Sequence, residues 1–144
     1  MMENIIELLH SGSYSCVIVN RSDVRTFNQH GVADLYALHL YDRQFLKGAV
    51  IADKVVGIAA ATLMISGGVK QVHADIISLP AMKLLRDAHL DVTASLTVPV
   101  IENRDYTDWC PLEKACLKAQ SYEEIMPLID RFMLVQETKK LTRN

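Results

Sequence analysis

The sequence predicts an α/β protein, a three-layer α/β/α arrangement in which a mixed sheet carries helices on both faces. Three observations lead there. Extended runs open the chain as a hairpin; a helix apolar on every side follows; and strand and helix patterns then alternate as far as Val98. Strands joined by single helices must lie parallel, so the centre of the sheet is parallel and its beginning antiparallel.

The elements follow in order. Ile5, Ile6, Leu8 and Leu9 recur at helical spacing and stop at Ser11-Gly12-Ser13. Tyr14 to Asn20 is rich in β-branched residues, and Arg21-Ser22-Asp23 turns it into a second run, Val24 to Asn28. Asp34 to Phe45 carries Leu35, Leu38, Tyr41 and Phe45 on one helical face, with Gly48 as its candidate C-cap. Ala49-Val50-Ile51-Ala52 reads as a short strand that ends at Asp53-Lys54, after which the apolar helix runs to Gly67-Gly68. Gly57, Ala59, Ala60 and Ala61 admit a tightly packed neighbour at the cost of some helix propensity. A strand from Val69 to Ser78, a helix from Leu79-Pro80 to Ala88 and an alternating strand from Val92 to Val98 complete the layered core. Pro111 begins a further helix, and Ser121 with Glu124 three residues on caps the last one. No linker, repeat or low-complexity segment divides residues 1–144, so one domain is expected.

Composition narrows the functional classes. The chain has 144 residues, half of them apolar, with 15 Lys and Arg against 17 Asp and Glu, a net charge of -2. A general nucleic-acid binder needs a basic footprint, which is absent, so no nucleic-acid partner is expected. The longest uncharged stretch, Val55 to Val69, has 15 residues. That is too short for the roughly 20 needed to cross a bilayer, so no membrane partner is expected. Three unpaired cysteines and an acidic opening, Glu3 and Glu7, predict the reducing cytoplasm.

Ligands of open α/β sheets collect at the carboxyl ends of the strands, and three segments point there: Ala52-Asp53-Lys54, Asp75 to Pro80, and the approach to Cys110. Asp53 lies where a strand is expected to become a helix, which suits an N-cap carboxylate. Lys54 beside it could face a ligand phosphate or carboxylate. On the strand from Val69, Gln71, His73 and Asp75 share one face. Such a polar row does not belong on a strand covered on both sides; it suits a solvent-facing or subunit-facing surface. One His-x-Asp is too few ligands for a metal, and His10, His30, His39 and His89 show no ligand spacing. Pro111 puts Cys110 at a helix N-cap and Glu113 at the capping-box position. The helix terminus would lower the thiol pKa, while Asp108 and Glu113 would raise it, which favours an inert cysteine.

The run Gly48-Ala49-Val50-Ile51-Ala52-Asp53-Lys54-Val55-Val56-Gly57, then Ala59-Ala60, Gly67-Gly68-Val69 and Asp108-Trp109-Cys110-Pro111-Leu112-Glu113, resembles a prokaryotic family built on a domain of unknown function with a cytidine-deaminase-like fold. The resemblance is best from Leu46 to Cys116. Active nucleobase deaminases hold zinc with a His or Cys at one helix start and a Pro-Cys-x-x-Cys turn at the next, and a Glu moves the proton. By that topology the first helix would start at Asp53-Lys54-Val55 without a His-x-Glu pair, and the second at Pro80 with Ala81 and Leu84 in the cysteine places. The resemblance therefore implies no zinc, no other cofactor and no zinc-dependent deamination. It implies a domain that binds a small ligand, such as a nucleotide, with Asp53, Lys54, Ser78 and Cys110 lining the cleft. Two alternatives stand beside it: a metal-independent enzyme with Cys110 as nucleophile and Asp53 or Glu113 handling protons, and a homo-oligomeric interaction module using an exposed sheet edge or helix pair.

Overall fold

The computed structural model describes residues 1–29, 32–101, 111–119 and 122–142. Five strands, β1 (Cys16–Asn20), β2 (Asp23–Phe27), β3 (Val50–Val56), β4 (Gln71–Ser78) and β5 (Asp91–Val98), form one mixed sheet in the order β2-β1-β3-β4-β5. The opening hairpin is antiparallel, β1 runs antiparallel to β3, and β3, β4 and β5 are parallel. Parallel neighbours need crossovers, and two helices, α3 (Ile58–Gly67) and α4 (Leu79–Asp87), supply them.

Helices cover both faces unequally. On one, α1 (Met2–Ser11) sets Ile5 and Leu9 against Val17, Val19 and Ala52 of β1 and β3. On the other, α3, α4 and α2 (Ala33–Tyr41) build the larger core over Ile18, Ile51, Val72 and Ala74. The helices α5 (Pro111–Leu117) and α6 (Tyr122–Thr142) pack against α3 as well. This explains the apolar helix of the sequence: with neighbours all round, eight of the ten residues of α3 are buried. Gly67 shows how close the approach is, since a Cβ there would stand 2.7 Å from the Cβ of Leu46.

Three expectations require correction. The strand predicted to end at Ala52 continues to Val56, because β1 and β4 pair with it on both sides: Cys16 faces Asp53, and Val55 and Val56 face Ile76 and Ile77. Asp53 is therefore a strand residue and not an N-cap, and the helix begins at Ile58 behind the extended Gly57 instead of at Asp53-Lys54-Val55. The helix expected over Asp34 to Phe45 stops at Tyr41, and a separate 3-10 turn spans Arg43–Leu46. Asp42 leaves the helical region between them, and the Asn20 side-chain amide holds the turn by donating to the Phe45 and Lys47 carbonyls at 2.8 and 2.9 Å. Gly48, at φ +74°, follows that turn and does not cap α2. The third correction, Glu113, belongs to the site below.

Candidate functional site

The carboxyl ends of β3 and β4 deliver the chain into α3 and α4, and each helix start leaves backbone N–H groups to be satisfied. Nothing in Ile58-Ala59-Ala60 can cap α3. Glu113 does so from α5: its Oε1 accepts from the Ile58 N–H at 2.7 Å, and its Oε2 accepts from the Ile101 N–H at 2.9 Å. Glu113 is only 3% exposed. Gly57 makes room for it, since a Cβ at that position would lie 3.0 Å from Oε1. The sequence placed Glu113 in the capping box of its own helix; its carboxylate oxygens instead accept from the Ile58 and Ile101 amides and close a helix 55 residues away. An anion drawn to the positive end of α3 would meet this carboxylate already in place.

Ser78 closes the neighbouring helix. Its hydroxyl accepts from the Ala81 N–H at 3.3 Å, Pro80 occupies the first turn, and the residue is fully buried. Each helix start thus has one backbone N–H held by a side chain of the protein itself.

Asp53 stands apart from them. It is half-buried on β3, between Cys16 and Ala74, and its Oδ1 accepts from the Val55 N–H at 3.3 Å. Burial pushes its carboxyl up to about 7; the Val55 and Lys54 backbone amides oppose the rise, and Asp75 and Asp34 add to it. Burial also raises the Cys16 thiol, with smaller contributions from Asp53 and Asp34. Asp53, Cys16 and Asp34 thus share one electrostatic neighbourhood beside the start of α2. Lys54 does not join them, because successive strand side chains point to opposite faces. Cys110 lies outside the described residues, as do Asp108 and Ser121.

A second polar group was only half legible in the sequence. His73 and Asp75 share a face of β4 as expected, but His73 is only 8% exposed. His73 Nδ1 and Thr93 Oγ1 are hydrogen-bonded at 2.9 Å across to β5. His73 Nε2 lies 3.6 Å from Asp75 Oδ1 and has no hydrogen-bond partner. His10, from the last turn of α1, donates to Asp75 Oδ2 at 2.7 Å. Its position on the helix gave the sequence no signal, since 65 residues separate the pair. Among the described residues, no three His, Cys, Asp or Glu side chains gather so as to hold a metal ion. Within them, too, no helix is long and apolar enough to cross a membrane.

Two open depressions lie elsewhere, one of about 260 Å³ lined by Arg43, Gln44, Lys47, Ser66, Gly67 and Gly68. The other, of about 530 Å³, is lined by Asn20, Arg21, Gln44 and Lys47. Neither touches Asp53, Ser78 or Glu113.

A mixed five-stranded sheet between helices on both faces, with two crossover helices capped at the strand ends, defines an α/β protein. Residues 4–133 match the profile of the TM1506 family, a domain of unknown function also called DUF1893, and the chain belongs to that family. A crystal structure of a DUF1893 family protein from Thermotoga maritima shares the fold, with a TM-score of 0.81 at 23% identity over 89% of this chain and 86% of that one. A diaminohydroxyphosphoribosylaminopyrimidine deaminase/5-amino-6-(5-phosphoribosylamino)uracil reductase from the same organism is similar at 14% identity over 65% of this chain and 34% of that one. The TM-score of that match is 0.42. No curated protein matches the chain.

Proposed function

We propose that this domain binds a small, uncharged hydrogen-bonding ligand, of the kind a nucleobase or nucleoside presents, at Asp53. The observation that carries the reading is the carboxyl itself. It is half-buried on a core strand, rests on backbone amides, and has no cation paired with it among the described residues. Uncompensated burial of such a group costs stability, and groups so placed concentrate at functional sites. A carboxyl pushed up to about 7 by burial can both donate and accept a hydrogen bond near neutral pH, which suits the edge of an amide-like ring. Phosphate is the poorer fit here. Asp34 and Asp75 make the neighbourhood negative, and Glu113 holds the start of α3.

Thermal-shift measurements with a panel of nucleosides, nucleotides and small acids test this reading. A ligand that prefers the folded state raises the melting temperature. At least one nucleoside should do so for the wild type and not for Asp53→Ala, which removes both the donor and the acceptor. The reading fails if no member of the panel shifts the wild type, or if the shift survives in the variant.

A further inference from the structure

The two edges of the sheet are built differently. The β2 edge has five residues and is guarded by charge: Arg25 reaches Asp23 and Asp42 at 3.1 and 2.8 Å. The β5 edge has eight residues, Asp91-Val92-Thr93-Ala94-Ser95-Leu96-Thr97-Val98, with no charge after Asp91 and no proline before Pro99. Among the described strands it pairs with β4 alone. A long uncharged edge presents a row of unpaired N–H and C=O groups, which another strand can satisfy; natural proteins block such edges with charge, proline or a bulge unless they use them. The chain that follows β5 turns inward, since Ile101 meets Glu113 and lies beside Gly57 at the end of β3.

We propose that β5 is the seam of a symmetric dimer, in which the β5 strands of two copies of this chain pair antiparallel and join two sheets into one of ten strands. The pattern along the strand selects a second copy as the occupant. A twofold axis normal to the sheet keeps each face on its own side, so every row of side chains meets the same row of the partner copy. Val92 and Ala94 rest on the core, while Leu96, next in that row, is 53% exposed. The alternate row is Thr93, Ser95 and Thr97, all exposed. With the axis through Ser95, Ala94 stands opposite Leu96 and Val92 opposite Val98. On the other face Thr93 stands opposite Thr97, and Ser95 opposite itself. Apolar meets apolar and hydroxyl meets hydroxyl, Asp91 faces no like charge, and the exposed Leu96 becomes covered.

Sedimentation equilibrium over a concentration series tests the proposal on the full chain. The wild type should dimerise, and Leu96→Lys and Thr97→Lys should each weaken the dimer at least tenfold while far-UV circular dichroism stays that of the wild type. Two substitutions are used because one could perturb β5 itself. Ser95→Cys should become cross-linked between chains by a short bismaleimide, beyond the level its native cysteines give the wild type. A chain that remains monomeric at about 100 μM, far above the micromolar constants of ordinary specific association, overturns the proposal. So does a dimer that tolerates both lysines, or one that gains no cross-link from Ser95→Cys.

Discussion

Replacing Glu113 by alanine should be the most damaging single change at the strand ends, and the structure supplies the magnitude. The carboxylate accepts one hydrogen bond from the Ile58 N–H and one from the Ile101 N–H, at 2.7 and 2.9 Å. Ile58 is 3% exposed, so water cannot replace the first bond. A buried donor left without a partner costs about 1–3 kcal/mol, and two such losses make about 2–4 kcal/mol once the more accessible Ile101 is discounted. Loss of the negative charge at the start of α3 acts in the same direction. Against a typical total of roughly 5–15 kcal/mol, Glu113→Ala should remove a large share of the stability while leaving the chain folded at room temperature. Glu113→Gln retains one acceptor oxygen, so it should lose about half as much. Urea unfolding followed by circular dichroism at pH 7 measures both, read from the midpoint at unchanged slope. A loss below about 1 kcal/mol in the alanine variant would refute the reasoning, because the buried Ile58 donor alone cannot be orphaned so cheaply. Equal losses in the two variants would refute the assignment of the effect to hydrogen bonding.

Three further outcomes are expected. The Asp53 carboxyl lies at about 7 in the folded protein against an ordinary 3.8, so the folded state holds this proton more tightly than the unfolded chain. Its effect on stability is nil where both states are protonated, grows as a penalty as the pH rises from about 4 to about 7, and is constant above that, with a ceiling of about 4 kcal/mol from three units at about 1.4 each. Asp53→Asn should therefore flatten the pH dependence in that window and be no less stable than the wild type at pH 8; a less stable variant there contradicts the burial argument. Ser78→Ala should lose about 1 kcal/mol through the cap of α4, measured by the same urea titration, and an unchanged midpoint would mean that the Ala81 amide finds another acceptor. Gly67→Ala drives a methyl to within 2.7 Å of Leu46 and should lower stability by about 1–3 kcal/mol in thermal melts; a stabilised variant would show that α3 and the 3-10 turn can move apart.

The class of fold, the order of its elements and the close packing around α3 are legible along the chain. These follow from local chemistry: the alternation along Val92 to Val98, the glycine stop at Gly67-Gly68, Pro80 in the first turn of a helix. Burial on every side could be read for the run between Lys54 and Gly67-Gly68 because an unbroken apolar helix has no other stable place, although that run in fact begins with the strand residues Val55 and Val56. The roles of the polar residues depend instead on contacts between distant elements. Asp53 looked like the end of a strand because Asp and Lys are poor strand formers, yet pairing with β1 and β4 carries the strand through them. Glu113 looked local, but the donors that needed a carboxylate belonged to Ile58 and Ile101. His10 and Asp75, 65 residues apart, met only because α1 lies across the sheet. Periodicity records which side of an element faces the core; it does not record which distant element brings an unsatisfied donor or a bare carboxylate to that side, and that information exists only once the chain has folded.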